Sequence, residues 1–247
     1  YSSKPPLMST WVAGVTWGVC RVTGWTLLDH PHGVMSTTLL LVNGVPFVLM
    51  LWLLARILQQ SPLSPSAAIV VLAFAAFGTL WSPFLTSLNN HTVAACGAFL
   101  GGACWFWAAD SLPNGYRSGI FFVWGVAASA MACHDLPAGL MTLLFAWHAC
   151  RIDFRRSVIG FGVGAALPVI AFFSTNMLAM GTWRPAYSGY GSETYVFIHE
   201  GIPSYWAQPQ GIDRNLDSPV MYAFHSTLGH HGFLSLTPIS FAVLFLI

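Results

Sequence analysis

Charge is what this sequence has least of. Only 7% of its 247 residues are Asp, Glu, Lys or Arg, against 55% hydrophobic residues, and the mean hydropathy is +0.65. Soluble domains carry about 25% charged residues. So few charges cannot clothe a water-exposed surface, and lipid has to cover much of the chain. The net charge is +1. With no Lys/Arg patch to neutralise a run of phosphates, a nucleic-acid partner is excluded. Cys20, Cys96, Cys104, Cys133 and Cys150 form no CxxC pair, and four of them lie in apolar stretches. They read as small buried hydrophobes, not as a disulfide framework. No initiator methionine or signal peptide precedes the first polar loop, and the final run from Phe241 to Ile247 is too short to span a bilayer. The chain therefore reads as a fragment, with further sequence expected beyond both ends.

What is present is a series of long apolar runs. From Arg56 to Asp110 no charged residue intervenes. A spanning helix needs about 20 mostly apolar residues. Such runs fall at roughly 34–55, 66–83, 92–109, 118–133, 136–150 and 157–182, and another begins near 236. Within lipid only helices satisfy their own backbone over segments of this length. The predicted fold is all-α, a polytopic transmembrane protein with four regions. Residues 1–33 form an outer loop and an interfacial helix, 34–182 a core of about six spans, 183–235 a long extracytoplasmic loop, and 236–247 the start of a further span. Residues 7–28 are apolar but carry Arg21 and a recurring Trp11, Trp17 and Trp25. That pattern suits a helix at the headgroup level, with a true span as the alternative.

Orientation follows from the arginines. If the 34–55 run ends at Arg56 in the cytoplasm, alternation places Arg117, Arg151, Arg155 and Arg156 on the same side. The short loops on the other side then hold no Lys or Arg, which is the positive-inside pattern. That outer side gathers Lys4, Asp29, His30, His32, Asn89, Asn90, His91, His134, Asp135, His199, His225, His230 and His231, whereas His148 lies near the inner side. Polar groups at a membrane border are costly and often functional.

Three short constellations stand out on that face. His134-Asp135 sits at a helix junction before Leu136-Pro137. Asp135 reads either as a helix cap or as a group that takes a proton, holds a metal or orients a hydroxyl. Asn89-Asn90-His91 can bind sugar hydroxyls or a phosphate, and can equally cap the helix at Thr92. Asn90-His91-Thr92 is also a glycosylation sequon. His225 and the Gly229-His230-His231-Gly232 turn have a histidine supply that suits a divalent metal, although no HExxH or CxxC accompanies them. The long loop 183–235 holds four of the eight acidic residues, Glu193, Glu200, Asp213 and Asp217. At this length it reads as a lid rather than a mere connector.

The stretch Tyr1-Ser2-Ser3-Lys4-Pro5-Pro6-Leu7-Met8, followed by an aromatic helix and Gly24-Trp25, resembles the GT-C integral membrane glycosyltransferases. Within that family it looks like the protein mannosyltransferases and the lipid A aminoarabinose transferases. Ser82-Pro83 through Asn89-Asn90-His91, His134-Asp135-Leu136-Pro137, and Phe224-His225 through Gly232-Phe233 with Leu236-Thr237-Pro238 are similar in placement. The resemblance implies an inverting transfer of a sugar from a polyprenyl-phosphate donor to a protein, lipid or glycan acceptor on the extracytoplasmic side. The setting it implies is a multi-pass protein of the bacterial inner membrane. It implies that Lys4 contacts the donor phosphate, and that the acidic base lies upstream of Lys4. Arg184 and Arg214 could supply further charge to the phosphate. Trp183, Tyr187, Tyr190, Tyr195, Tyr205 and Trp206 could stack on sugar faces, or belong to interfacial and loop packing. The competing readings are a polytopic transporter, favoured by the helix-breaking Gly160 to Gly164 run and Pro168, and a membrane subunit without chemistry.

Overall fold

The computed structural model describes residues 6–79, 81–109, 114–185, 193, 196–210, 214 and 216–229, with the backbone alone at 109 and 114–116. Lys4, His230, His231 and the run from 236 lie outside these. Eight helices organise the described residues: α1 (Pro6–Thr23), α2 (Pro31–Gln59), α3 (Pro65–Phe77), α4 (Asn90–Ala109), α5 (Asn114–His134), α6 (Gly139–Ile152), α7 (Phe154–Met180) and α8 (Pro219–Thr227). A two-residue antiparallel ladder pairs Ile198–His199 with Ile202–Pro203. The apolar runs expected at 34–55, 92–109, 118–133 and 136–150 lie within helices, 157–182 is helical up to Met180, and the 66–83 run is helical over Pro65–Phe77 and again over Trp81–Phe84. Three stretches, Pro31–Gln59, Pro65–Phe84 and Phe154–Met180, are long and apolar enough to cross a membrane, and Leu136–Ile152 is apolar but shorter.

Local chemistry sets the helix ends. Pro31, Pro65 and Pro219 open α2, α3 and α8, where a fixed φ helps and a missing N–H costs nothing. Ser64, Ser218 and Asp153 accept hydrogen bonds from Ala67, Met221 and Arg156 as side-chain caps. Gly181 closes α7 in the left-handed region, at φ 68°. Two helices also contain a wider π turn, at Leu40–Gly44 in α2 and at Ser157–Phe161 in α7.

Helix α5 is the hub. Trp124 is fully buried, with Phe121, Phe145 and Phe161 edge-on around its ring at 5.9, 5.9 and 6.0 Å. Glycines allow the neighbouring backbones this close. A Cβ on Gly125 would run into the Phe161 carbonyl, one on Gly164 into the Phe122 carbonyl, and one on Gly97 into the Ala127 carbonyl. Small residues at the seam are how helices associate in lipid, where no hydrophobic effect drives them together. Thr142 adds a hydrogen bond from α6 to the Ala128 carbonyl of α5 at 2.6 Å. Outside this core the surface is apolar: Val48, Trp52, Ile69, Val70, Leu143, Val163 and Leu178 are all exposed. Soluble monomers rarely show apolar patches beyond a few hundred Å².

Helix α1 is not among the stretches long and apolar enough to span. It folds back on α2 through the 24–30 turn. Thr16 and the fully buried Thr38 share a hydrogen bond at 3.3 Å, and Trp25 lies over Gly33 where a Cβ would collide. Arg117 and His134 lie near the two ends of α5, about 26 Å apart at the helical rise. That is close to the ~30 Å hydrocarbon thickness of a bilayer.

Candidate functional site

One end of the core brings together four residues from two separate constellations. Asn90 and His91 open α4, and His134 and Asp135 close α5. The antiparallel packing of these helices sets them side by side. The Asn90 side-chain amide donates to the His134 carbonyl at 2.7 Å. His91 Nδ1–H donates to Asp135 Oδ2 at 2.8 Å. With Nδ1 engaged, Nε2 is the ring nitrogen left to accept a proton or a hydrogen bond. The His91 side chain is 54% exposed and that of Asp135 24%, so the pair stands at an open rim, with Phe84 edge-on to His91 at 6.4 Å.

The two possible cap residues divide the work unexpectedly. Asp135 occupies the cap position of the Leu136–Ala138 turn, yet its carboxylate makes no capping bond, because His91 holds it. Asn89 is the cap: its Oδ1 accepts from the Thr92 N–H at 2.9 Å and from the Thr92 hydroxyl at 3.1 Å. Its amide nitrogen donates to the Phe84 and Ser87 carbonyls, both at 3.2 Å. Asn89 is thus occupied by structure. The sequon nitrogen of Asn90 is likewise bound into the helix junction.

His134 is only 8% exposed. Its Nδ1–H donates to the Ala130 carbonyl at 2.8 Å, and its Nε2 is buried with no hydrogen-bond partner among the described residues. Burial holds this imidazole below its ordinary value of 6.5, and the Ala130 bond offsets part of that shift.

A residue not singled out in the sequence supports the approach to the site. Asn43 is fully buried in the α2 π turn and donates to the Leu85 and Ser87 carbonyls at 3.1 and 2.8 Å. It therefore pins the segment that leads into Asn89. The signal available was a lone amide in the otherwise apolar 34–55 run; π turns of this kind are common at functional sites. Asn176 is its counterpart in α7, fully buried with its amide donating to the Phe172 carbonyl.

The remaining sequence candidates are placed elsewhere. His225 lies on α8, stacked edge-on against Phe224 at 5.6 Å and close to Gly229. His199 is in the short ladder. Arg214 directs its donors to Pro209 and Gln210 of its own segment, and Tyr205 bonds the Gln210 backbone through its hydroxyl. His30 lies against Trp25 at 5.6 Å, while Asp29 accepts from the Thr26 hydroxyl at 2.6 Å. Among the described residues no three His, Cys, Asp or Glu side chains converge as a metal site. Lys4, His230, His231, Asp213, Tyr187, Tyr190 and Tyr195 lie outside the described residues.

No family model, curated protein or solved structure matches the chain.

Proposed function

We propose that this chain is the membrane-embedded part of an inverting glycosyltransferase, moving a sugar from a polyprenyl-phosphate donor to an acceptor on the extracytoplasmic face. The observation that supports this reading most is the open His91–Asp135 pair. It stands at the end of the core opposite Arg117, Arg151, Arg155 and Arg156. A donor with its tail in lipid presents its sugar and phosphate at the headgroup level, the level of such a rim. A carboxylate that fixes an imidazole by one nitrogen leaves the other to bind and orient a sugar hydroxyl. Orientation of this kind is a large part of the rate gain when two substrates must meet.

In this reading the core is a multi-pass span set of a bacterial inner membrane, with the arginines cytoplasmic. His91 and Asp135 orient a hydroxyl, Asn90 locks the helix junction beneath them, and Lys4 pairs with the donor phosphate as the KPP resemblance implies. The chemistry needs donors or cations to stabilise the leaving phosphate.

The test is transfer by the purified protein in proteoliposomes supplied with a labelled polyprenyl-phosphate sugar. Lys4→Ala should raise the KM for the donor while leaving thermal stability nearly unchanged, since a headgroup-level lysine adds little packing. Turnover that is indifferent to Lys4 and Asp135 would remove the support for sugar transfer. Solute flux without transfer would favour a transporter.

A further inference from the structure

We propose that the arginine end of the core carries a binding cleft for the phosphate of an anionic membrane lipid. The cleft has a volume of about 320 Å³ and is lined by Ser118, Asp153, Arg155, Arg156, Ile159 and Gly160. It lies where the start of α5 meets the π turn of α7. Gly160 makes it possible: its Cα stands so near the Phe121 Cβ and the Ser118 carbonyl that a side chain there would crowd both.

The charges are arranged for an anion. Among the described residues Asp153 is the one carboxylate in the lining, and it is already committed. It caps the turn through the Arg156 N–H at 3.0 Å and accepts from the Arg156 guanidinium at 2.6 Å. The Arg156 backbone N–H first, and then the guanidinium charge, hold its carboxyl below the usual carboxylate range. Arg155 is exposed, and among the described residues its guanidinium has no hydrogen-bond or salt-bridge partner. Its planar fork matches two phosphate oxygens. The Ser118 hydroxyl supplies a further donor. Arg117, the neighbour of Ser118, has a buried Nε with no hydrogen-bond partner among the described residues.

The surroundings point to a lipid rather than a soluble phosphate. Phe154, Val158 and Ile159 are 69%, 56% and 59% exposed beside the cleft, and this apolar surface is where acyl chains would lie. Arg151 packs over the Trp147 ring at 5.2 Å, an aromatic–cation pair suited to the interface. Basic pockets between helices on the cytoplasmic side are a recurring way to hold acidic headgroups.

This inference rests on the membrane reading but not on sugar transfer. The experiment reconstitutes the full chain in nanodiscs of mixed phosphatidylglycerol and phosphatidylcholine, and reads the lipids retained by native mass spectrometry. The expected result is preferential retention of phosphatidylglycerol, reduced about five-fold by Arg155→Gln and further by Arg155→Gln with Ser118→Ala. Circular dichroism should show both variants folded. Three results would overturn the proposal: equal retention of the two lipids, retention indifferent to the folded variants, or displacement of the bound lipid by millimolar inorganic phosphate. Loss of sugar transfer with lipid retention intact would leave it standing.

Discussion

The two ends of helix α5 are built from different materials. At the His134 end, polar groups are short, uncharged or paired, and bonded across helices: Asn90 to the His134 carbonyl, His91 to Asp135. At the Arg117 end, the groups are long and basic, and the bonds are local, such as Arg156 to Asp153 three residues away. Long-range bonds fix a geometry, as a site for oriented substrates requires. In the proposed reading, long basic side chains on local anchors suit mobile headgroups and bias orientation in the membrane. The contrast separates an end held by bonds between helices from an end held by bonds within one segment.

Breaking the core should abolish both ends together. Gly125→Leu places a side chain against the Phe161 backbone, and the α5–α7 contact has no room for it. We expect loss of folded, monodisperse protein in detergent. Normal folding would mean that this close approach is not needed.

Asp135→Asn should strike the precise end alone. It keeps the shape but removes the anion that fixes His91. We expect transfer to fall about 100-fold, as for a misplaced reacting group, while stability changes by less than about 1 kcal/mol, as for an exposed pair. His91→Ala should cost about the same, and the double variant little more, because the two act as one unit. Additive losses would show that they act separately.

A smaller effect distinguishes His134 from its neighbour. The unfolded ring titrates near 6.5 and the folded one lower, so the unfolded state binds more protons between those values. The stabilisation is fully present above pH 6.5 and is lost progressively as pH falls below it. Melting temperature should drop from pH 7.5 to 5.5, and His134→Gln should flatten that slope. The smallest effect is expected at the other end. Asp153→Asn should leave the same pH range unchanged, since Asp153 titrates below the usual carboxylate range.

The helices were legible as long apolar runs bounded by polar breaks, and their ends followed Pro, Ser and Gly signals. The two π turns were not legible, since an inserted residue leaves no mark on composition. Asn89-Asn90-His91 and His134-Asp135 each stood out as polar breaks between apolar runs. Their union did not, because it depends on the α4–α5 register across 44 residues. For the same reason Asp135 looked like a cap: local sequence favours capping, and the partner that takes its carboxylate is distant. Asn43 is not legible in the sequence because a single amide in an apolar run carries no motif.

The central claim is that the two ends of the core face opposite sides of a membrane, with the His91–Asp135 pair outside. Its most direct test is cysteine labelling in inverted and right-side-out vesicles with a membrane-impermeant maleimide, on a background with the five native cysteines replaced. Thr86→Cys, near His91, should label only from the periplasmic side, and Arg155→Cys only from the cytoplasmic side. Labelling of both from one side would contradict the account.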